Sequence, residues 1–139
     1  MEASAKAIIY TSYFSRQRRI DSSLYYPIAI CAHVPKFFSG LNFLMVAPSR
    51  ELLSAYKNSG LTEEKFTALY KADRLWTHTP SEIADRIFSV VPNSMIPVLL
   101  CYEKTGDFCH RHILAQWLTE GGYPCEELPE SMLLPKGGK

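Results

Sequence analysis

The chain has no long apolar run: no segment approaches the ~20 consecutive apolar residues that a membrane span needs. It also has no excess of charge. Fifteen basic against fourteen acidic residues leave a formal net charge of +1, so no global field draws it toward nucleic acid, and only a local patch could. Met1-Glu2-Ala3-Ser4-Ala5-Lys6 lacks the apolar core of a signal peptide, which predicts a cytoplasmic location without membrane attachment. Internal repeats and low-complexity tracts are missing too. Among its four cysteines there is no Cys-x2-Cys pair of the kind that makes a zinc knuckle. There is also no Cys-x5-Arg phosphate loop, which disfavours cysteine-phosphatase chemistry. No cofactor is called for.

What is present suits one α/β domain over residues 1–139. The 47% hydrophobic content is enough for a core, and about 68% of the unfolded-chain surface is buried at roughly this size. Apolar runs at Ala7-Ile8-Ile9-Tyr10, at Pro27-Ile28-Ala29-Ile30-Cys31-Ala32 and at Met95-Ile96-Pro97-Val98-Leu99-Leu100 read as buried strands. Three helices lie between the second and third runs. Ser49 caps one over about Arg50 to Lys57, and Thr62 with Glu63 and Glu64 starts another with a short stripe of Phe66, Leu69 and Tyr70. Thr79-Pro80-Ser81-Glu82 has capping-box spacing and opens a third, with Ile83, Ile87 and Phe88 inward. A last helix carries Ile113, Leu114, Trp117 and Leu118, and Tyr123 to Leu128 reads as a short edge strand. Strands alternating with helices predict a three-layer domain with a small, mainly parallel sheet flanked by helices. Residues 129–139 are expected to form a flexible tail.

The chemistry concentrates between the third strand and the last helix. Residues 101–111 hold two thiols, a carboxylate, an imidazole and a guanidinium, at the sheet edge where α/β proteins collect ligands. Asp107 is expected to cap the helix, leaving Phe108, Cys109 and His110 in a first turn that attracts anions, with Arg111 gripping a phosphate or carboxylate. The bland reading pairs Arg111 with Glu103 or Asp107. Glu103, Cys109 and His110 are the catalytic candidates: Glu103 as acid, base or nucleophile, and Cys109 as a thiol activated by its neighbours. Thr11, Ser12, Tyr13 and Lys104 are expected to join Arg111 around the ligand. Cys101 is expected to pack in its strand. A further reading places a metal on Cys101, Cys109 and His110, but the spacing matches no usual zinc set and no metal is expected. Without a leader, all four cysteines, Cys31 and Cys125 included, are expected as free thiols.

Leu99-Leu100-Cys101-Tyr102-Glu103-Lys104, followed by Cys109-His110-Arg111 and Leu114-Ala115-Gln116-Trp117-Leu118, resembles the family catalogued as domain of unknown function 488. Tyr10-Thr11-Ser12-Tyr13-Phe14 and the stretch from Ala47-Pro48 to Tyr56-Lys57 resemble its shorter members. Longer relatives carry Asp-Val-Arg at the end of the second strand, where this chain has Ala29-Ile30-Cys31. The resemblance implies a small cytosolic α/β protein of bacteria, archaea or their viruses, and brings no activity with it.

The functional expectation is an enzyme acting on a nucleotide-like or other small phosphate-bearing ligand at the 101–111 loop. The alternative is a non-catalytic nucleic-acid or protein binding module. It would use the basic turn 15–19, with Arg16, Arg18 and Arg19, and the aromatic loop 35–40, with Tyr10, Tyr13, Phe37 or Phe38 stacking on a base.

Overall fold

A computed structural model describes residues 7–92, 94–103 and 108–136. Five strands, β1 (Ile9–Tyr13), β2 (Tyr25–Ala29), β3 (Leu41–Asn42), β4 (Ile96–Cys101) and β5 (Cys125–Glu127), form one sheet in the order β3-β2-β4-β1-β5. Every pairing in it is parallel. Parallel neighbours need long crossovers. Here they are α1 (Arg50–Asn58), α2 (Glu63–Tyr70) and α3 (Pro80–Val90) between β3 and β4, and α4 (His110–Glu120) between β4 and β5.

The two faces of the sheet are covered differently. Strand alternation turns Ile9, Ile28 and Leu99 toward the four helices, which contribute Phe66, Ile83 and Leu114 among others. Tyr10, Ala29 and Leu100 face the other way, under Phe14 and Ile20 around a 3-10 turn at Phe14–Arg19 and under Phe38 and Leu128. The chain is α/β as expected, with its third layer made of turns and extended chain in place of helices. Among the described residues no helix is long and apolar enough to cross a membrane.

Local signals explain most boundaries. Ser49 and Thr62 accept hydrogen bonds from Leu52 N and Lys65 N at the helix starts, and Thr79 with Glu82 closes a capping box. The apolar stripe of α2 continues further than its sequence implies. A π turn at Lys71–Leu75 inserts one residue, so the buried series is Phe66, Tyr70 and Leu75, while Leu69 is half exposed. Pro27 falls inside β2 instead of at its first position. This is tolerated because β3 pairs only with Ile28 and Ala29, leaving β2 an edge on that side at Pro27. Phe88 and Trp117 are only partly buried, so the apolar core faces are Ile83, Ala84 and Ile87 in α3 and Ile113, Leu114 and Leu118 in α4.

The segment expected as a loose tail is instead tied down through Leu134. Arg16 and Arg19 both pair with Glu130, Arg19 Nε donates to Leu134 O at 2.9 Å, and Leu134 N donates back to Arg19 O at 2.7 Å. Residues 137–139 lie outside the described residues.

Candidate functional site

Parallel strands end together, and the carboxyl ends of β2 and β4 border a cavity of about 90 Å3 lined by Cys31, Leu53, Lys57, Cys101, Glu103 and His110, among others. A second cavity, of about 40 Å3, shares Leu53, Lys57, Glu103 and His110 and adds Tyr56, Phe108 and Cys109. Tyr102, half exposed, also lines the first cavity, Phe37 is exposed outside both, and each is edge-on to Phe14.

α4 begins later than expected. Cys109 is its N-cap and His110 its first residue, so Phe108 and Cys109 are not in the first turn; Asp107 and Lys104 lie outside the described residues. That start fixes the direction of Arg111. Positions 111, 114 and 118 share one helix face, and it is the buried one, so the guanidinium is driven under the sheet edge with no exposure. There Nε and Nη2 hold the Glu127 carboxylate at 3.1 and 2.8 Å. Nη1 donates to Glu103 O at 2.6 Å and to Cys101 Sγ at 2.9 Å. The expected grip of Arg111 on a ligand anion is therefore corrected: a buried guanidinium requires a carboxylate partner, and β5 supplies one. Among the described residues that carboxylate is Glu127 and not Glu103. Glu103 contributes its carbonyl to Arg111, and the residue lines both cavities.

The β1 residues are also placed differently from expectation. Thr11 is buried, and its hydroxyl donates to Glu127 Oε1 at 2.7 Å. Ser12 is buried on the opposite face, where its Oγ has no partner among the described residues. Tyr13 lies under two guanidinium groups, with Arg111 Cζ at 5.6 Å and Arg16 Cζ at 5.1 Å from its ring centre. None of the three reaches the cavities. Tyr10 and Phe38 are core residues and cannot stack on a base, and Arg16 and Arg19 are engaged with Glu130, which leaves Arg18 as the exposed arginine of that turn.

The thiols overturn the free-cysteine expectation for one pair. Cys101, at the end of β4, and Cys109, at the start of α4, are joined as a disulfide with Cα atoms 7.6 Å apart, while Cys31 and Cys125 are free and buried. Burial pushes Cys31 up to about 11, with the Glu103 charge adding to it, and Cys125 up to about 12. Both are inert near neutral pH. Cys101 is placed differently, because a guanidinium hydrogen bond at its sulfur favours the thiolate in the reduced protein.

His110 is fully enclosed. Burial, with lesser help from Arg111 and His112, pushes it down to about 4, so it is neutral at pH 7. Its Nε2 contacts Ile30 O, which can only accept, so Nε2 carries the proton and the Nδ1 lone pair faces Cys109 Sγ at 3.8 Å. The ligating atoms of Cys101, Cys109 and His110 lie within 4.8 Å of one another, a soft donor set whose imidazole is oriented by a carbonyl as in metal sites. A metal and a disulfide are exclusive uses of these sulfurs.

Sequence reasoning missed Glu127 and Lys57. Glu127 had a signal: a cation on the apolar face of α4 demands a carboxylate, and alternation in Cys125-Glu126-Glu127 turns Glu127 inward with Cys125. Lys57 is a helix-end lysine that only the tertiary fold brings to the cavity.

The family profile described as the active DUF488-N3 subclade matches residues 36–122, which takes in α1 to α4 and the Cys101 to Arg111 run. No curated protein and no solved structure matches significantly.

Proposed function

The chain belongs to the DUF488 family, and we propose that it is an enzyme that uses the Cys101 thiolate as nucleophile toward a small phosphate-bearing, nucleotide-like ligand at the carboxyl edge of the sheet. The observation that carries this reading is the hydrogen bond from buried Arg111 to Cys101 Sγ beside a cavity lined by Lys57, Glu103 and His110. Membership in a subclade described as active accords with catalysis. A cavity of about 90 Å3 is far below the ~300 Å3 of a whole-ligand pocket, so only the reacting group enters. Lys57 meets its negative charge, Glu103 exchanges the proton, and the exposed Tyr102 and Phe37 flank the rest of the ligand. The binding-module reading loses support because two of its three arginines hold the C-terminal segment.

Alkylation tests the reading. In the reduced protein, iodoacetamide at pH 6.5 should modify Cys101 about tenfold or more faster than Cys31 or Cys125, as read by peptide mass spectrometry. A panel of 5′-nucleotides should contain one that shields Cys101. Lys57→Ala should weaken that protection about tenfold, the scale of one charge-assisted hydrogen bond. Equal alkylation of the thiols, or no protection by any nucleotide, would sink the proposal.

A further inference from the structure

We propose that Cys101 and Cys109 form a two-electron dithiol–disulfide centre that reduces a small hydroperoxide, with Cys101 attacking and Cys109 resolving. This rests on the Cys101 nucleophile assigned above and adds a second reaction of the same site.

The two sulfurs are within bonding reach across the junction of β4 and α4. Their surroundings are unequal. Cys101 has the buried guanidinium at 2.9 Å, which favours a thiolate, while Cys109 has the neutral imidazole lone pair of His110, which can take its proton when it attacks. That asymmetry suits one attacking and one resolving thiol. The cavity favours a small oxidant: about 90 Å3 suits a peroxide better than a bulky disulfide.

In the first step the Cys101 thiolate attacks a peroxide oxygen. The S–O bond forms, the O–O bond breaks, the sulfur is oxidised by two electrons, and hydroxide leaves. In the second step Cys109 attacks the Cys101 sulfenic sulfur. The S–S bond forms, the S–O bond breaks, and the Cys109 proton passes through His110 Nδ1 to the departing hydroxyl to give water. Two equivalents of a low-molecular-weight thiol return the dithiol and leave as their own disulfide.

The test begins with fully reduced protein treated with one equivalent of hydrogen peroxide. The wild type should lose two thiols and two hydrogens in mass, with the new bond mapped to Cys101–Cys109, and dithiothreitol should restore both. Cys109→Ser should accumulate a sulfenic acid on Cys101 that dimedone traps, while Cys101→Ser should consume peroxide about tenfold more slowly or less. The inference is overturned if Cys101 alkylates fast yet the wild type forms no internal disulfide, if Cys109→Ser yields no trapped sulfenic acid, or if purified reduced protein holds a stoichiometric metal on these sulfurs. Slow alkylation of Cys101 would instead remove the nucleophile itself, and the proposed function with it.

Discussion

Removing the Glu127 carboxylate should destabilise the fold because it leaves Arg111 charged and buried. Glu127 takes hydrogen bonds from Arg111 Nε at 3.1 Å, Arg111 Nη2 at 2.8 Å and Thr11 Oγ1 at 2.7 Å. In Glu127→Ala the guanidinium keeps only Glu103 O and Cys101 Sγ as partners among these contacts. Breaking a buried pair costs ~3–5 kcal/mol, and the Glu127 side chain, 21% exposed, admits some water, so the lower end of about 3 kcal/mol applies. With a urea slope of about 2 kcal/mol per molar, the midpoint should fall by roughly 1.5 M. The same substitution made in an Arg111→Met background should cost less than about 1 kcal/mol, since an apolar replacement has no charge to strand. The coupling between the sites should therefore be about 2 kcal/mol. Chemical melts of the four proteins measure it, and Glu127→Gln, which keeps an acceptor, should fall between the wild type and Glu127→Ala. If Glu127→Ala costs the same in both backgrounds, the buried pair does not hold this edge together.

Three further outcomes follow from local geometry. Burial holds His110 well below its unfolded value of 6.5, at about 4, so the unfolded chain binds the extra proton first and stability is lost as pH falls from about 6.5 toward 4. The loss is about 3 kcal/mol at full depth, and thermal melts of His110→Gln should show a flatter pH dependence across that window. Thr79→Ala removes one half of the capping box and should cost about 1 kcal/mol in a denaturant melt, and an unchanged midpoint would mean that α3 starts without it. Leu114→Ala should cost about 2–5 kcal/mol and Trp117→Ala less than a fully buried tryptophan would, because Leu114 is completely enclosed and Trp117 is not.

The sequence by itself determined the α/β class, the helix starts at Ser49, Thr62 and Thr79, the buried strand leading to Cys101 and the concentration of chemistry between that strand and the last helix. These are local matters of capping, alternation and apolar runs, and they act over a few residues. The direction of each functional side chain was decided by tertiary structure. Arg111 looked like an anion receptor until its helix face was fixed by the start at His110, and Glu127 lies sixteen residues further on a strand that reaches it only across the sheet edge. Thr11 and Ser12 are adjacent in the chain, yet strand alternation puts them on opposite faces, one bonded to Glu127 and the other without a partner among the described residues. The π turn that brings Leu75 to the core, the docking of Glu130 against Arg16 and Arg19, and the meeting of Cys101 with Cys109 all depend on where separate elements come to rest. Spacing along the chain cannot specify such meetings, because they are set by packing between elements distant in sequence.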